Sequence, residues 1–269
     1  MNNKVRNVKT DSLFLFFCFV SIFLWSTINK TGYLSGVVFT ISIIVTIIIV
    51  EMFPLRSNDF EIYENKSAFF LFLFLEIILQ LLIFILNKYF GLNNMTGGKA
   101  DISHIRLIYL LITGTLFFSY LLNINFKDFY WGMTFKELLL IIAIYVAYIV
   151  INRISGMKAY DVVFDEEHIK TFMLKFIYDC FYPGIFEETV YRGFLISGLK
   201  GLGLNESKCN VVQALFFGAS HVNSWGSGSF IFLLHTAFQS LIGYLFGKLY
   251  FKTKSLTPCI ILHGLFNTI

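Results

Sequence analysis

The chain has 269 residues, of which 57% are hydrophobic and only 14% charged, with a mean hydropathy of +0.71. Soluble domains carry about a quarter charged residues, and a fold of this length has too little interior to bury so much apolar surface. This composition therefore excludes an ordinary soluble protein. The net charge of +4 is small and dispersed, so it gives no support for a nucleic-acid partner and fits a protein surrounded by a lipid bilayer.

The first predicted elements are apolar runs that approach the about 20 residues needed to cross a bilayer as a helix. An open sheet would leave backbone groups unsatisfied in lipid, so strands are not expected. The sequence predicts an all-α, polytopic transmembrane helix bundle of about eight or nine helices with a buried polar site. In chain order the runs are 12–28, 34–53, 68–90, 106–124, 136–152, 171–198, 207–222, 229–251 and 255–269.

Basic residues give the expected orientation. Lys4, Arg6 and Lys9 precede the first run, and no small-x-small cleavage site follows it, so it is predicted to be a retained helix. Three lysines between positions 248 and 254 precede the last helix. By the positive-inside rule both segments are cytoplasmic, which predicts a multi-pass cell-membrane protein with a cytoplasmic N-terminus.

Two regions differ in polarity, although they are expected to form one integrated membrane domain. In the first four predicted helices the strong polar intrusions are Glu76 and Gln80, which lie four apart on one helix face and are interpreted as packing contacts between helices. A polar stretch, 153–170, then opens a second region, 153–269, that is richer in ionisable groups within apolar runs. Such groups are costly at membrane depth and usually functional.

The first group of ionisable residues follows Pro183 and Gly184, which favour a kink or break. Glu188 and Arg192 are four residues apart and are predicted to pair on one helix face. Glu187 points about 100° away from Glu188, so it lacks this partner and is free to act as a general base. The alternative is a solvated helix end that carries an ion pair.

Two further groups lie on later helices. Phe217 and His221 close the run 207–222, where a histidine can be a structural hydrogen-bonding group as readily as a catalyst. His263 and Asn267 are four residues apart in the last helix and are expected to share a face. Asn267 can bind a substrate carbonyl or a developing oxyanion, or it can bridge helices.

The three groups together favour one site inside the bundle. Glu187 would take a proton from water, while His221 and His263 would orient that water and stabilise the tetrahedral intermediate. The same three residues are a plausible ligand set for a divalent metal such as zinc. The His-Glu-x-x-His helix of many zinc proteases is absent, so the sequence does not decide between metal-dependent and metal-free chemistry.

Three motifs in this order resemble the CPBP family, the CAAX protease and bacteriocin-processing (Abi) family of intramembrane proteases. They are Glu-Glu-x-x-x-Arg-Gly at 187–193, Phe-x-x-x-His at 217–221 and His-x-x-x-Asn at 263–267, and the resemblance covers roughly 171–269. It implies a catalytic base at Glu187, an orienting carboxylate at Glu188 held by Arg192, water-binding or polarising histidines at 221 and 263, a packing residue at Phe217 and an oxyanion donor at Asn267.

The sequence thus predicts an intramembrane endopeptidase that cleaves a small peptide precursor or a membrane-protein substrate. The alternative is a non-catalytic membrane partner, such as a bacteriocin immunity protein or a scaffold. A transporter is disfavoured because no repeat is present and the polar residues crowd one end of the chain. Catalysis predicts that Glu187, His221 and His263 lie within about 4–7 Å of one another, whereas scattered positions would contradict it.

Overall fold

A computed structural model describes residues 2–28, 33–55, 60–90, 102–154, 166–221 and 230–268. Within these ranges the fold is helical and contains no strand, which confirms the predicted all-α class. The helices are α1 Asn2–Ile28, α2 Tyr33–Met52, α3 Lys66–Phe90, α4 Ile102–Leu121, α5 Phe135–Ile154, α6 Glu166–Asp179, α7 Phe186–Glu188, α8 Ile196–Gly201, α9 Glu206–Ser220, α10 Phe230–Thr253 and α11 Leu256–Thr268.

Helix α10 packs against α9, α1, α2 and α11, while α3 packs against α8 and α11 packs against α6. Helices from both predicted regions contribute to one apolar core, to which Ile22 and Leu71 come from the first region and Leu241 and Leu262 from the second. The C-terminal helices therefore form their buried interior only in contact with the N-terminal ones.

Polar contacts tie together one end of the bundle. The Ser207 hydroxyl at the start of α9 donates to Asp11 Oδ1 at 2.6 Å, and Lys248 Nζ lies 3.6 Å from Asp11 Oδ2 and 2.9 Å from Glu51 Oε1. These contacts place the N-terminal part of α1 and the C-terminal part of α10 at the same end. The predicted cytoplasmic location of both segments requires this arrangement.

Among the described residues, α5 is the one helix that is both long and apolar enough to cross a membrane, with a mean hydropathy of 2.0 over its most apolar window. Three shorter apolar stretches are Gly36–Met52 within α2, Ile112–Leu121 within α4, and Leu256–Thr268, which is α11. The other predicted crossings stay predictions. Of the predicted polar stretch 153–170, residues 155–165 lie outside the described part of the chain, and α6 already begins at Glu166.

The predicted apolar run 171–198 is interrupted, and the kink predicted at Pro183 and Gly184 is confirmed. After α6 the chain makes a π-helical turn, Cys180–Ile185, in which Tyr182 has extended backbone angles (φ −149°, ψ 116°) directly before Pro183. A proline in a helix lacks the N–H for the helical bond and clashes with the preceding turn, as the predicted kink requires. A second π-helical segment, Thr189–Leu195, follows α7, so both glutamates stand between two irregular turns.

Candidate active site

The carboxylate of Glu187 lies at the centre of the candidate site. Its Oε2 atom is 3.3 Å from His221 Nε2 and 3.8 Å from His263 Nε2. These three residues come from α7, from the position just after α9, and from α11. The catalytic hypothesis predicts such a convergence, and both distances from Glu187 to the histidines are shorter than the expected range of about 4–7 Å.

Both imidazole rings are held through their Nδ1 atoms. His221 Nδ1 lies 2.8 Å from the carbonyl oxygen of Phe217, and His263 Nδ1 lies 2.7 Å from Glu188 Oε1. A carbonyl oxygen and a carboxylate accept hydrogen bonds, so we assign the Nδ1 proton to both rings from these partners. The Nε2 atom of each ring then lies on the Glu187 side, and a protonated ring forms an ion pair with that carboxylate.

Glu188 and Arg192 form the predicted pair in the fully buried part of the site. Arg192 Nη1 lies 3.2 Å from Glu188 Oε1, both side chains are 0% exposed, and Arg192 Nη2 donates to the carbonyl of Gly243 at 3.1 Å. Glu188 Oε1 thus accepts hydrogen bonds from both His263 Nδ1 and Arg192 Nη1. The burial cost of each charge is offset by its partner, and the pair fixes the orientation of His263.

The Phe217 ring contacts both Arg192 and His221. The Arg192 guanidinium carbon lies 4.7 Å from the Phe217 ring centroid and 5.1 Å from that of Phe246, while Phe217 and His221 have ring centroids 4.3 Å apart. Such cation–π contacts strengthen when water is excluded. The sequence-predicted packing role of Phe217 is thus given specific partners.

The site is closed on one side and open on the other in the described part of the chain. Glu188 and Arg192 are fully buried, whereas the side chains of Glu187 and His221 are 20% and 28% exposed. The Glu187–His221 side is therefore the more exposed side of the site, while the Glu187 Oε2 atom itself is buried.

Two buried amides behind Arg192 were not singled out from the sequence. Gln213 Nε2 donates to the Gly243 carbonyl at 2.8 Å and to Asn210 Oδ1 at 2.8 Å. A Cβ atom on Gly247 would collide with the Asn210 amide, so this glycine makes room for the pair. The sequence feature that could have indicated these contacts is the pair Asn210 and Gln213, two amides three residues apart in an apolar helix. In the structure this pair lies opposite Gly243 and Gly247.

Asn267 is not brought into this cluster. Its side chain is exposed near the end of α11, and its backbone carbonyl accepts a hydrogen bond from Lys175 Nζ at 2.8 Å. His263 is 4% exposed, so the two residues predicted to share a face have different surroundings. The contacts of the described residues give no support to the implied oxyanion role of Asn267.

Glu187, His221 and His263 are residue types that can bind a metal ion. Two imidazole nitrogens and a carboxylate are ligands that zinc accepts, and each ring has its other nitrogen held by an acceptor, as metal-binding histidines do. No set of three or more His, Cys, Asp or Glu side chains in the described residues is already arranged as a metal centre. Metal binding by Glu187, His221 and His263 therefore stays a prediction.

Comparison with known proteins assigns the part of the chain that carries this site. Residues 169–269 match the family described as type II CAAX prenyl endopeptidase Rce1-like. No curated protein and no solved structure matches the chain. The match covers all three motifs and begins within α6, close to the start of the predicted resemblance. Residues 169–269 are therefore similar to the CPBP/CAAX protease family, whose members are membrane-embedded proteases.

Proposed function

We propose that this protein is a multi-pass intramembrane endopeptidase in which Glu187 activates water to cleave a peptide bond. The proposed substrate is a small peptide precursor or a membrane protein, and the proposed N-terminal orientation is cytoplasmic. The single observation that carries the proposal is the Glu187 carboxylate placed 3.3 Å and 3.8 Å from the Nε2 atoms of two histidines.

In the proposed reaction, Glu187 accepts a proton from a water molecule held between its carboxylate and the two Nε2 atoms. The water oxygen forms a bond to the carbonyl carbon of the peptide, and the carbonyl oxygen becomes an oxyanion. Collapse of the tetrahedral intermediate breaks the carbon–nitrogen bond, and Glu187 returns its proton to the leaving amine. One water molecule is consumed, and the products are a carboxylic acid and an amine.

The other residues act on the orientation and charge of this centre. His221 lies on the exposed side, where its Nε2 can orient the water and, once protonated, stabilise the oxyanion. His263 is fixed by Glu188, and Glu188 is fixed by Arg192. A divalent metal bound by Glu187, His221 and His263 would polarise the water and the substrate carbonyl.

The test uses the full chain reconstituted in liposomes with an internally quenched peptide that ends in Cys-aliphatic-aliphatic-X, in prenylated and unprenylated forms. The wild type is expected to cleave at least one form. Glu187→Gln, which keeps the shape but removes the base, should lower the rate by about 10²–10⁴-fold at normal abundance. Wild-type cleavage by Glu187→Gln would contradict the proposal.

Two further arms separate the alternatives. Zinc-reversible inhibition by a chelator would support metal binding at Glu187, His221 and His263, whereas full activity after chelation would support metal-free catalysis. A non-catalytic immunity role predicts that Glu187→Gln still protects producing cells fully. The catalytic role predicts that this protection is lost.

A further inference from the structure

A tyrosine in the catalytic segment is bound to a carboxylate from the N-terminal region. The Tyr191 hydroxyl donates to Glu76 Oε1 at 2.6 Å, and Tyr191 is 3% exposed. Tyr191 directly precedes Arg192, whereas Glu76 lies in α3, outside the matched residues 169–269. The contact therefore links the family-matched segment to a helix that the family comparison does not cover.

The other side of Tyr191 faces the end of α9. Its ring packs edge-on against Phe217 with centroids 5.2 Å apart. The Phe217 carbonyl lies 2.8 Å from His221 Nδ1, and the two rings have centroids 4.3 Å apart. A continuous set of contacts thus leads from Glu76 through Tyr191 and Phe217 to His221.

The Phe217 carbonyl fixes the proton on His221. Ser220 Oγ and His221 Nδ1 both donate to this carbonyl, which has two lone pairs and can accept from both. Because a carboxylate accepts, the Tyr191 proton is committed to Glu76, and this bond holds the Tyr191 ring against Phe217. The position of Phe217 therefore sets the direction of the His221 Nδ1–H bond and the placement of His221 Nε2 beside Glu187.

We propose that Glu76 and Tyr191 are positioning residues that fix the orientation and tautomer of His221 through Phe217. This proposal rests on the proposed function, and it replaces the interpretation of Glu76 as a simple packing contact. A carboxylate in an apolar helix is costly, and a short hydrogen bond to it is stronger and more directional than a neutral one. The functional site then includes α3 as well as the C-terminal helices.

The first measurement is the rate of peptide cleavage by Tyr191→Phe, which removes only the hydroxyl. We expect kcat to fall by about tenfold, the order expected for loss of one orienting hydrogen bond, with KM unchanged. Glu76→Gln keeps a carbonyl oxygen as acceptor and should retain most of the activity, whereas Glu76→Leu should resemble Tyr191→Phe. Wild-type kcat in both Tyr191→Phe and Glu76→Leu would overturn the proposal.

Tyr244→Phe is the matched control. Tyr244 is 1% exposed, and Lys248 Nζ, which lies 3.6 Å from Asp11 Oδ2, is 5.6 Å from its ring centroid near the end where α1 meets α10. Loss of its hydroxyl should leave kcat unchanged, so an equal fall in kcat for both variants would indicate general destabilisation and contradict the positioning role. Should Tyr191→Phe fail to accumulate, Glu76→Leu alone is measured, and wild-type kcat there would also contradict it.

The second measurement does not depend on hydrolysis. Histidine ring-nitrogen NMR signals of the full chain report the tautomer of His221, which a His221→Gln variant assigns. Tyr191→Phe should shift the His221 signals and leave those of His263 unchanged, and Tyr244→Phe should shift neither. Absence of peptide cleavage by the wild type would contradict the proposed function, whereas unchanged His221 signals in Tyr191→Phe would contradict the positioning proposal.

Discussion

The buried threonines of α2 and the buried polar side chains of the candidate site satisfy their hydrogen bonds in different ways. In α2, Thr40 and Thr46 donate at 2.8 Å and 2.7 Å to carbonyls of their own helix. In the C-terminal helices, by contrast, His263 binds Glu188 and Arg192 binds the Gly243 carbonyl, each across two elements. Local bonds tolerate a polar residue in an apolar helix, whereas bonds between helices fix one arrangement of several elements.

The sharpest test of this difference exchanges the buried Glu188 carboxylate for an amide. Glu188→Gln weakens the acceptor that orients His263 and leaves the Arg192 charge uncompensated. We expect the rate of peptide cleavage to fall by about 10–100-fold, as for loss of other residues that orient a catalytic group. The measurement is kcat in liposomes, and unchanged kcat would mean that Glu188 does not position His263.

Removal of the cation should act mainly on stability. Arg192→Met removes the guanidinium that compensates the Glu188 charge in a site that is 0% exposed and leaves it only His263, which should lower the free energy of unfolding by about 3–5 kcal/mol. Thermal unfolding in detergent measures the effect. The double variant Arg192→Met with Glu188→Leu should recover much of the loss, because it removes both charges. A double variant less stable than either single one would contradict this account.

The sequence predicted those features of the site that depend on spacing along one helix. The Glu188–Arg192 pair follows from a separation of four residues, and the kink follows from Pro183. Convergence of the three helices could be inferred because ionisable groups in apolar runs are costly unless they contact one another. Sequence distance carries no information on which helices pack side by side, so the contact of Glu76 with Tyr191 was not predictable.

A smaller effect is expected in the N-terminal region. The Glu137 carboxylate accepts from the Thr134 backbone N–H at 2.6 Å and hydroxyl at 2.9 Å, while Thr134 Oγ1 accepts from the Glu137 N–H at 3.3 Å. This reciprocal cap fixes the start of α5. Glu137→Ala should therefore cost about 1 kcal/mol of stability and leave kcat at the wild-type value. A loss of activity larger than the loss of folded protein would show that the two regions are coupled here as well.

The smallest effect is expected at the end of the last helix, where the family resemblance and the structure lead to different expectations. The resemblance implies that Asn267 stabilises the oxyanion, and loss of such a donor lowers kcat by about 10²–10³-fold. In the structure the Asn267 side chain is exposed, and the Lys175 contact uses its backbone carbonyl, which alanine retains. We therefore expect Asn267→Ala to keep kcat within about twofold, since exposed substitutions away from such contacts have small effects. A hundredfold fall would place Asn267 at the reacting carbonyl and would require α11 to turn this side chain inward when substrate binds.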